Sequence, residues 1–594
     1  MSAFNEHCSD IVKDYVQTVL IIDDRAGLCS QVNTAIAEVL DDLPDSSPLT
    51  VKAISDSAKD EIIEPDIEIT EDKAEAEVTE PVGGNPAVNV TDKAIESDEI
   101  KDITQEAQDY ESSHQLNALE LTNAFYQDGI VAGLYQPLIV DDENADEFAN
   151  KAERAAATAD IIILDWMLKG SDSSYSKAIV KKIIDLDRSS GGRIRNIIIY
   201  TGEPNLNALK DELYLALEDD SIDSKTEFQL SSKNLKISFY NKPNSNARSD
   251  REVLEKNLPA KALEEFETLV DGLVPTFAMK AAATIRHNTG RIIAKFDKNL
   301  DIGYIGHRAL LPTPQDSEVF MLENFVSYLR NILAISKVDA ESLGDPILEK
   351  WIQKNYASLN STFSSGEGRK LKELMFDENA LINILKYGTN QESSGLYDEI
   401  KKSFINDIKA KRTTTTDEQA AETAGKFAYN VISNNKKPLD FLKLFSSNDN
   451  CIELSSKKFS ILCSFKRTYK DINLDIEKPY LTQGSLVFDA QDNSYYLCIT
   501  PKCDTARVYG QRQFSFAKMQ QVEESKKYDL VAPKGLNDFV YLSCDTNFYN
   551  LKHFTFDGGN PKRVVGIEND GRIVFNAEGD KTLIWQGDLA DLST

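Results

Sequence analysis

Apolar residues follow three different rhythms along this chain. Up to about residue 245, short unbroken apolar runs alternate with stretches in which apolar residues return every three or four positions. Residues 19–22 (Val-Leu-Ile-Ile), 161–164 (Ile-Ile-Ile-Leu) and 196–200 (Asn-Ile-Ile-Ile-Tyr) are the clearest runs; 130–135 and 236–240 are more mixed. An unbroken run of this length is how a strand buried on both faces of a parallel sheet reads. Helical spacing separates the runs. It is set by Leu28, Val32, Ile36 and Val39, then Leu116, Leu119 and Phe125, then Phe148, Ala149, Ala152 and Ala156. Tyr175, Ala178, Ile179, Ile183 and Leu186 continue it, followed by Leu206, Leu209, Leu213 and Leu217. Five strands alternating with helices predict an α/β doubly wound parallel five-stranded sheet with helices on both faces.

From about residue 250 the period is helical throughout. Leu263, Phe266, Val270 and Leu273 share one face, and Val319, Leu322, Phe325, Leu329 and Leu333 another. From about 450 the period shortens. Residues 459–465, 485–488, 495–500, 539–542 and 572–575 read as strands, with turn signals at 491–493, 558–559 and 569–571. The expected organisation is an α/β domain over 1–250, a helical domain over 251–445 and a small antiparallel β-rich domain over 446–594.

Charge changes this picture in one place. Residues 41–112 hold 22 Asp and Glu against 5 Lys, over half of the chain's formal net charge of -31. This stretch breaks all periodicity and has Tyr110 as its one aromatic, so it reads as a mostly disordered, solvated insertion between the first and second strands. The acidic balance opposes nucleic-acid binding, which needs clustered Lys and Arg. No apolar run approaches the roughly 20 residues that span a bilayer, and no basic-then-apolar leader opens the chain. Seven cysteines spread over 594 residues fit a reducing cytoplasm better than a disulfide framework.

The strand ends carry the chemistry. The first run ends in Asp23 and Asp24, the third in Asp165, the fourth in Thr201 and the fifth in Asn241-Lys242-Pro243. The carboxyl edge is where open α/β sheets bind ligands. Three carboxylates there repel one another unless a divalent cation sits among them, and hard oxygen ligands suit Mg²⁺. A hydroxyl and an ammonium alongside can hold the oxygens of a transferred phosphoryl group.

These motifs (Val-Leu-Ile-Ile-Asp-Asp-Arg, Ile-Ile-Leu-Asp-Trp-Met-Leu-Lys-Gly, Ile-Ile-Tyr-Thr-Gly and Phe-Tyr-Asn-Lys-Pro) resemble those of a response-regulator receiver domain. The resemblance covers about residues 15–260, less the insertion. It implies that Asp165 is the phosphoacceptor, and that Asp23, Asp24, Asp165 and the backbone carbonyl of Met167 hold Mg²⁺. Thr201 would bind the phosphoryl group, Lys242 would pair with it, and Phe239 falls where the family keeps its switch aromatic. Lys169 stands where the family often has Pro, while Gly170 matches; the large insertion is a further departure. The implied partner is a sensor histidine kinase, with a second receiver-containing effector as a further candidate. Large receiver proteins of this look accompany sensor kinases in bacterial phage-defence operons, which points to a phosphate-buffering role there.

Other candidates weigh less. His287, in Thr-Ile-Arg-His-Asn-Thr-Gly, lacks the acid that usually follows a phosphorylated histidine and reads as an ordinary helix residue. Cys498, Cys503 and Cys544 lack the paired spacing of a zinc site. A cysteine nucleophile with His553 is the weakest reading. The sequence therefore predicts a cytoplasmic, non-enzymatic phosphoacceptor regulator acting as a sink or adaptor. The alternative is a receiver-gated effector enzyme with its site in the β-rich domain.

Overall fold

Parallel strands β1 (Thr18–Ile22), β2 (Val131–Tyr135), β3 (Ile161–Leu164), β4 (Arg195–Thr201) and β6 (Leu235–Asn241) form the first sheet, with β5 (Gln229–Ser231) antiparallel at its edge. The order is β2-β1-β3-β4-β6-β5. This is the doubly wound order 2-1-3-4-5 extended by one strand, so the sheet has six strands where the sequence predicts five. The extra strand is three residues long with a single buried residue, Leu230, too short to show a period. It caps the β6 edge, whose backbone groups would otherwise stay unpaired. The computed structural model describes residues 2–27, 115–137, 144–243, 250–365, 372–388, 395–411, 416–434, 442–447, 449–470, 478–524, 527–534, 538–544, 550–559 and 562–590. The acidic stretch 41–112 and the helix expected through Leu28, Val32, Ile36 and Val39 lie outside them.

Alternate residues of the central strands serve two cores, as a pleated strand requires. Leu20, Ile22, Ile162, Leu164, Ile197 and Ile199 pack under α3 (Ala145–Ala156), α4 (Ser174–Ser189) and α5 (Leu206–Leu217). Val19, Ile21, Ile161, Ile163 and Ile198 pack under α1 (Ala3–Tyr15), α2 (Ala118–Gln127) and α6 (Leu258–Glu267). Each fully buried side chain of this kind contributes roughly 1.5–3 kcal/mol. Helix starts are set locally. Side chains of Ser2, Asn117, Asn144 and Asn205 accept the backbone N–H three residues on, the usual cap for free N-terminal donors.

The helical region begins against the first sheet's amino edge. In α7 (Leu273–His287), Arg286 donates to both carboxylate oxygens of Asp160 at 3.0 and 2.9 Å and to the Tyr15 carbonyl at 2.9 Å. Asp160 also accepts the Gln17 N–H at 3.0 Å. Helix α1 lies between the two regions: Cys8 meets Thr276 at 3.5 Å, Asp14 pairs with Lys280 at 3.0 Å, and Phe4 and Cys8 share a small core with Ile347. Then come α8 (Thr289–Lys295), α9 (Asp301–Leu310), α10 (Asp316–Ile335) and further helices, interrupted by a two-stranded sheet of Thr362–Ser365 and Lys372–Met375.

The C-terminal region is an antiparallel sheet of ten strands. The expected strands near 485–488, 495–500, 539–542 and 572–575 are present as Ser485–Asp489, Ser494–Cys498, Phe539–Cys544 and Arg572–Ala577. The strand expected over 459–465 is not. Those residues end the helix Asp449–Ser464, and the strand begins at Phe465. Phe459 and Leu462 are exposed there while Ile461 packs inward, so the apparent alternation is the fringe of a helical face.

Candidate phosphoacceptor site

Register delivers the acids together. Ile22 lies opposite Leu164, so Asp23 and Asp165 leave the sheet side by side, and the Asp165 N–H donates to the Ile22 carbonyl at 2.9 Å. Asp24 follows, and one ligand oxygen from each of the three carboxylates lies within 4.8 Å of the others. Thr201 lies opposite Asn241, and the Lys242 N–H donates to the Thr201 carbonyl at 2.9 Å. From β6 the buried Lys242 side chain reaches back over the sheet edge. Its Nζ donates to Asp23 Oδ2 at 2.7 Å and to Asp165 Oδ2 at 2.8 Å. The remaining oxygen of Asp165 accepts the Trp166 N–H at 2.7 Å, and that of Asp23 accepts the Arg25 N–H at 2.8 Å.

Burial pushes the Asp165 and Asp23 carboxyls above the usual range despite the Lys242 charge. Burial, then the charge of Asp23, raises Asp24 as well. For Lys242, burial favours the neutral amine, but Asp165 and Asp23 outweigh it and hold the ammonium charged. One buried ammonium therefore faces three acids. Asp24 Oδ1 is buried with no hydrogen-bond partner among the described residues, and Arg25 stands 3.8 Å from the other oxygen. A buried carboxylate oxygen without a donor, in a cluster short of positive charge, suits a hard divalent cation. The residues present fit Mg²⁺.

Thr201 is fully buried and its hydroxyl accepts the Glu203 N–H at 3.2 Å. Phe239 is buried too, tilted against Trp166 with ring centroids 6.4 Å apart. Met167 is half-buried two residues past Asp165 and packs against the same core. Gly170 holds a φ of +60°, and around it Lys169 and Asp172 form an isolated bridge that closes the loop before α4.

Three supporting residues are given no role in the sequence reading. Ser176 Oγ lies 2.9 and 2.6 Å from the carbonyls of Asp165 and Trp166, and its hydroxyl donates to fix the acceptor loop. Asn241 donates its amide to the Thr201 carbonyl at 3.3 Å and to that of Glu203 at 2.6 Å, holding the loop after β4. Trp166 is the floor on which Phe239 packs. Ser176 carries no local signal, being one of several serines at a helix start. Asn241 and Trp166 stand directly beside the motif acids and lysine, and that adjacency was the available clue.

The other sequence candidates lie elsewhere. His287 is exposed at the end of α7. Cys498 is buried and its thiol is pushed up to about 11 by burial, the reverse of what a nucleophile needs. Cys503 is exposed, Cys544 half-buried, and His553 Nδ1 meets Ser515 Oγ at 3.1 Å. Among the described residues, Asp23, Asp24 and Asp165 are the one group of three or more potential metal-ligating His, Cys, Asp or Glu side chains that converges.

A doubly wound sheet thus presents an acidic trio, a threonine and a buried lysine together at its carboxyl edge. Residues 15–247 match the family described as "Response receiver domain", and the chain carries a response-regulator receiver domain over that span. No curated protein and no solved structure matches the chain. Among the described residues, no helix is long and apolar enough to cross a membrane.

Proposed function

We propose that this chain is a cytoplasmic response regulator that takes a phosphoryl group onto Asp165 from a partner sensor histidine kinase, serving as a phosphate sink or phosphorylation-controlled adaptor in antiphage defence. The observation that carries this reading is the Asp165 carboxylate held at 2.8 Å by Lys242 beside Asp23 and Asp24. In the transfer an Asp165 oxygen attacks phosphorus in line, an O–P bond forms, and the P–N bond to the kinase histidine breaks, leaving the imidazole with the electron pair. Asp23, Asp24, Asp165 and the Met167 carbonyl would hold Mg²⁺, which when bound neutralises the phosphate oxygens. Lys242 exchanges its Asp165 contact for a phosphoryl oxygen, and the Thr201 hydroxyl turns to donate to another. Phe239, already inside against Trp166, passes that shift to the core under β4 and β6.

The alternative, a receiver-gated effector enzyme, rests on a cavity of about 320 Å³ in the β-rich region, walled by Tyr469, Phe488 and Tyr495 with Lys534 and Arg572 at its lining. Among the described residues, that lining holds no carboxylate, histidine or cysteine. The test is intact-mass measurement after incubation with Mg²⁺ and acetyl phosphate, then with the kinase. One added phosphoryl group, absent in Asp165→Ala, is expected. No incorporation from either donor would remove the phosphoacceptor reading and leave the cavity as the place to look.

A further inference from the structure

Helix α10 carries Val319, Leu322, Val326, Leu329 and Leu333, spaced three, four, three and four residues apart. That alternation is one half of a coiled-coil seam, with Val319, Val326 and Leu333 at a positions and Leu322 and Leu329 at d. The chain leaves much of it open: Val319 is 46%, Leu322 61% and Val326 44% exposed. Over all twenty residues only Ser317 and Ile332 are buried, and the neighbouring α9 has no buried residue at all. Contacts within the chain use the other side of α10. Ser317 Oγ donates to the Tyr304 hydroxyl at 3.3 Å, the His307 ring sits 5.0 Å from Phe320, and Phe296 packs on Phe325 and Tyr328 at 5.5 and 6.3 Å. These are f, b, g and c positions. At the N-terminal end the e position, Asp316, pairs with Arg507; what stays open is the seam from Val319 onward and the e flank beyond it, which holds Glu323 and Arg330.

We propose that a second copy of this chain covers the seam, its α10 running antiparallel. A two-fold pairing makes the same patch serve both copies. With Val326 layered on Leu329 and Leu322 on Leu333, antiparallel pairing brings Glu323 beside Arg330 of the second copy, once at each end. Parallel pairing would instead set Glu318 beside Glu323. A second observation favours the same direction. The N-terminal end of the seam opens into a cleft of about 440 Å³, lined by Asp316, Glu318, Val319 and Leu322 on one side and by Arg507 (which pairs with Asp316), Lys562 and Arg563 on the other. Antiparallel pairing points the C-terminal end of the second helix, with its partial negative charge, towards Lys562 and Arg563. A parallel partner would bring the positive end.

The test is light scattering and sedimentation of the full chain. Wild type is expected at twice the 66.3 kDa chain mass. Glu323→Arg and Arg330→Glu alone should each weaken the dimer about tenfold, since each reverses two symmetric pairs. The double swap should return the Kd to within roughly threefold of wild type. Val326→Glu with Leu329→Glu should give monomers of unchanged helicity by circular dichroism. A wild-type monomer at about 50 µM would overturn the proposal, as would single swaps without effect. A dimer tightened by Glu323→Arg would overturn the antiparallel geometry.

Discussion

Replacing Lys242 by Met leaves the buried carboxylates of Asp23 and Asp165 facing one another without their shared counter-charge. Both lost contacts are short charge-assisted bonds, at 2.7 and 2.8 Å, on a lysine that is fully buried. Removing one partner of a buried ion pair costs about 3–5 kcal/mol. The lower figure corresponds to a roughly 150-fold rise in the open population. Hydrogen exchange of a peptide spanning β3 reads this locally, independent of the other regions. The sign of its pH dependence follows from the raised carboxyls. Burial lifts Asp23 and Asp165 in the folded state, so the folded site keeps protons that the unfolded chain has released. Stability from that proton uptake is present at low pH. It is lost as pH rises from the unfolded value of about 3.9 through the raised folded values. Without Lys242 those values rise further, so the variant's deficit should be largest at alkaline pH and shrink as pH falls. Mg²⁺ at about 100 times its Kd should give back roughly 2.7 kcal/mol. Unchanged protection in Lys242→Met, or a deficit that grows as pH falls, would refute the reasoning.

Asp160→Asn should raise exchange in the same peptide by an amount equivalent to about 2–3 kcal/mol at pH 7. Burial opposes its charge, but Arg286 and the Gln17 N–H hold its pKa below the usual range, so this stabilisation should fade as pH falls below about 4 towards the lowered folded value. Arg195→Met removes a fully buried guanidinium bonded at 2.8 and 2.6 Å to both oxygens of Asp187. It should cost about 3–5 kcal/mol by the same measurement, and a neutral result would mean the pair is not formed. Iodoacetamide at pH 8 should modify the exposed Cys463 and Cys503 and spare the buried Cys8 and Cys498, read by peptide mass. Early labelling of Cys498 would contradict its buried, raised thiol.

Legibility in the sequence followed burial symmetry. Ile161–Leu164 and the run ending in Thr201 announce themselves because both faces of those strands are buried, so no polar residue interrupts them. The acids and lysine were readable because they stop those runs. Strand β5 was hidden by its length. In the C-terminal region the long strand Gly510–Val522 went unread although Phe514 and Phe516 alternate with Gln513 and Ser515. Its pairing with Leu551–Gly558 and Ser494–Cys498 is non-local, and its polar ends mask the short apolar centre. The exposed seam of α10 was visible as a stripe, but a stripe does not say whether its cover comes from the same chain.

Helix α1 sits before the first strand and yet packs across onto α7 and Ile347, far along the chain. That makes the receiver a poor cassette. A graft cut near residue 250 would carry α1 away from α7 and Ile347, leaving Phe4 and Cys8 bare and Arg286 no longer bridging Tyr15 and Asp160. Recombination that swaps a receiver onto a new output therefore has no clean breakpoint here. A transplant that keeps the fold must carry α7 and the segment around Ile347 along with α1, or rebuild the surface of α1.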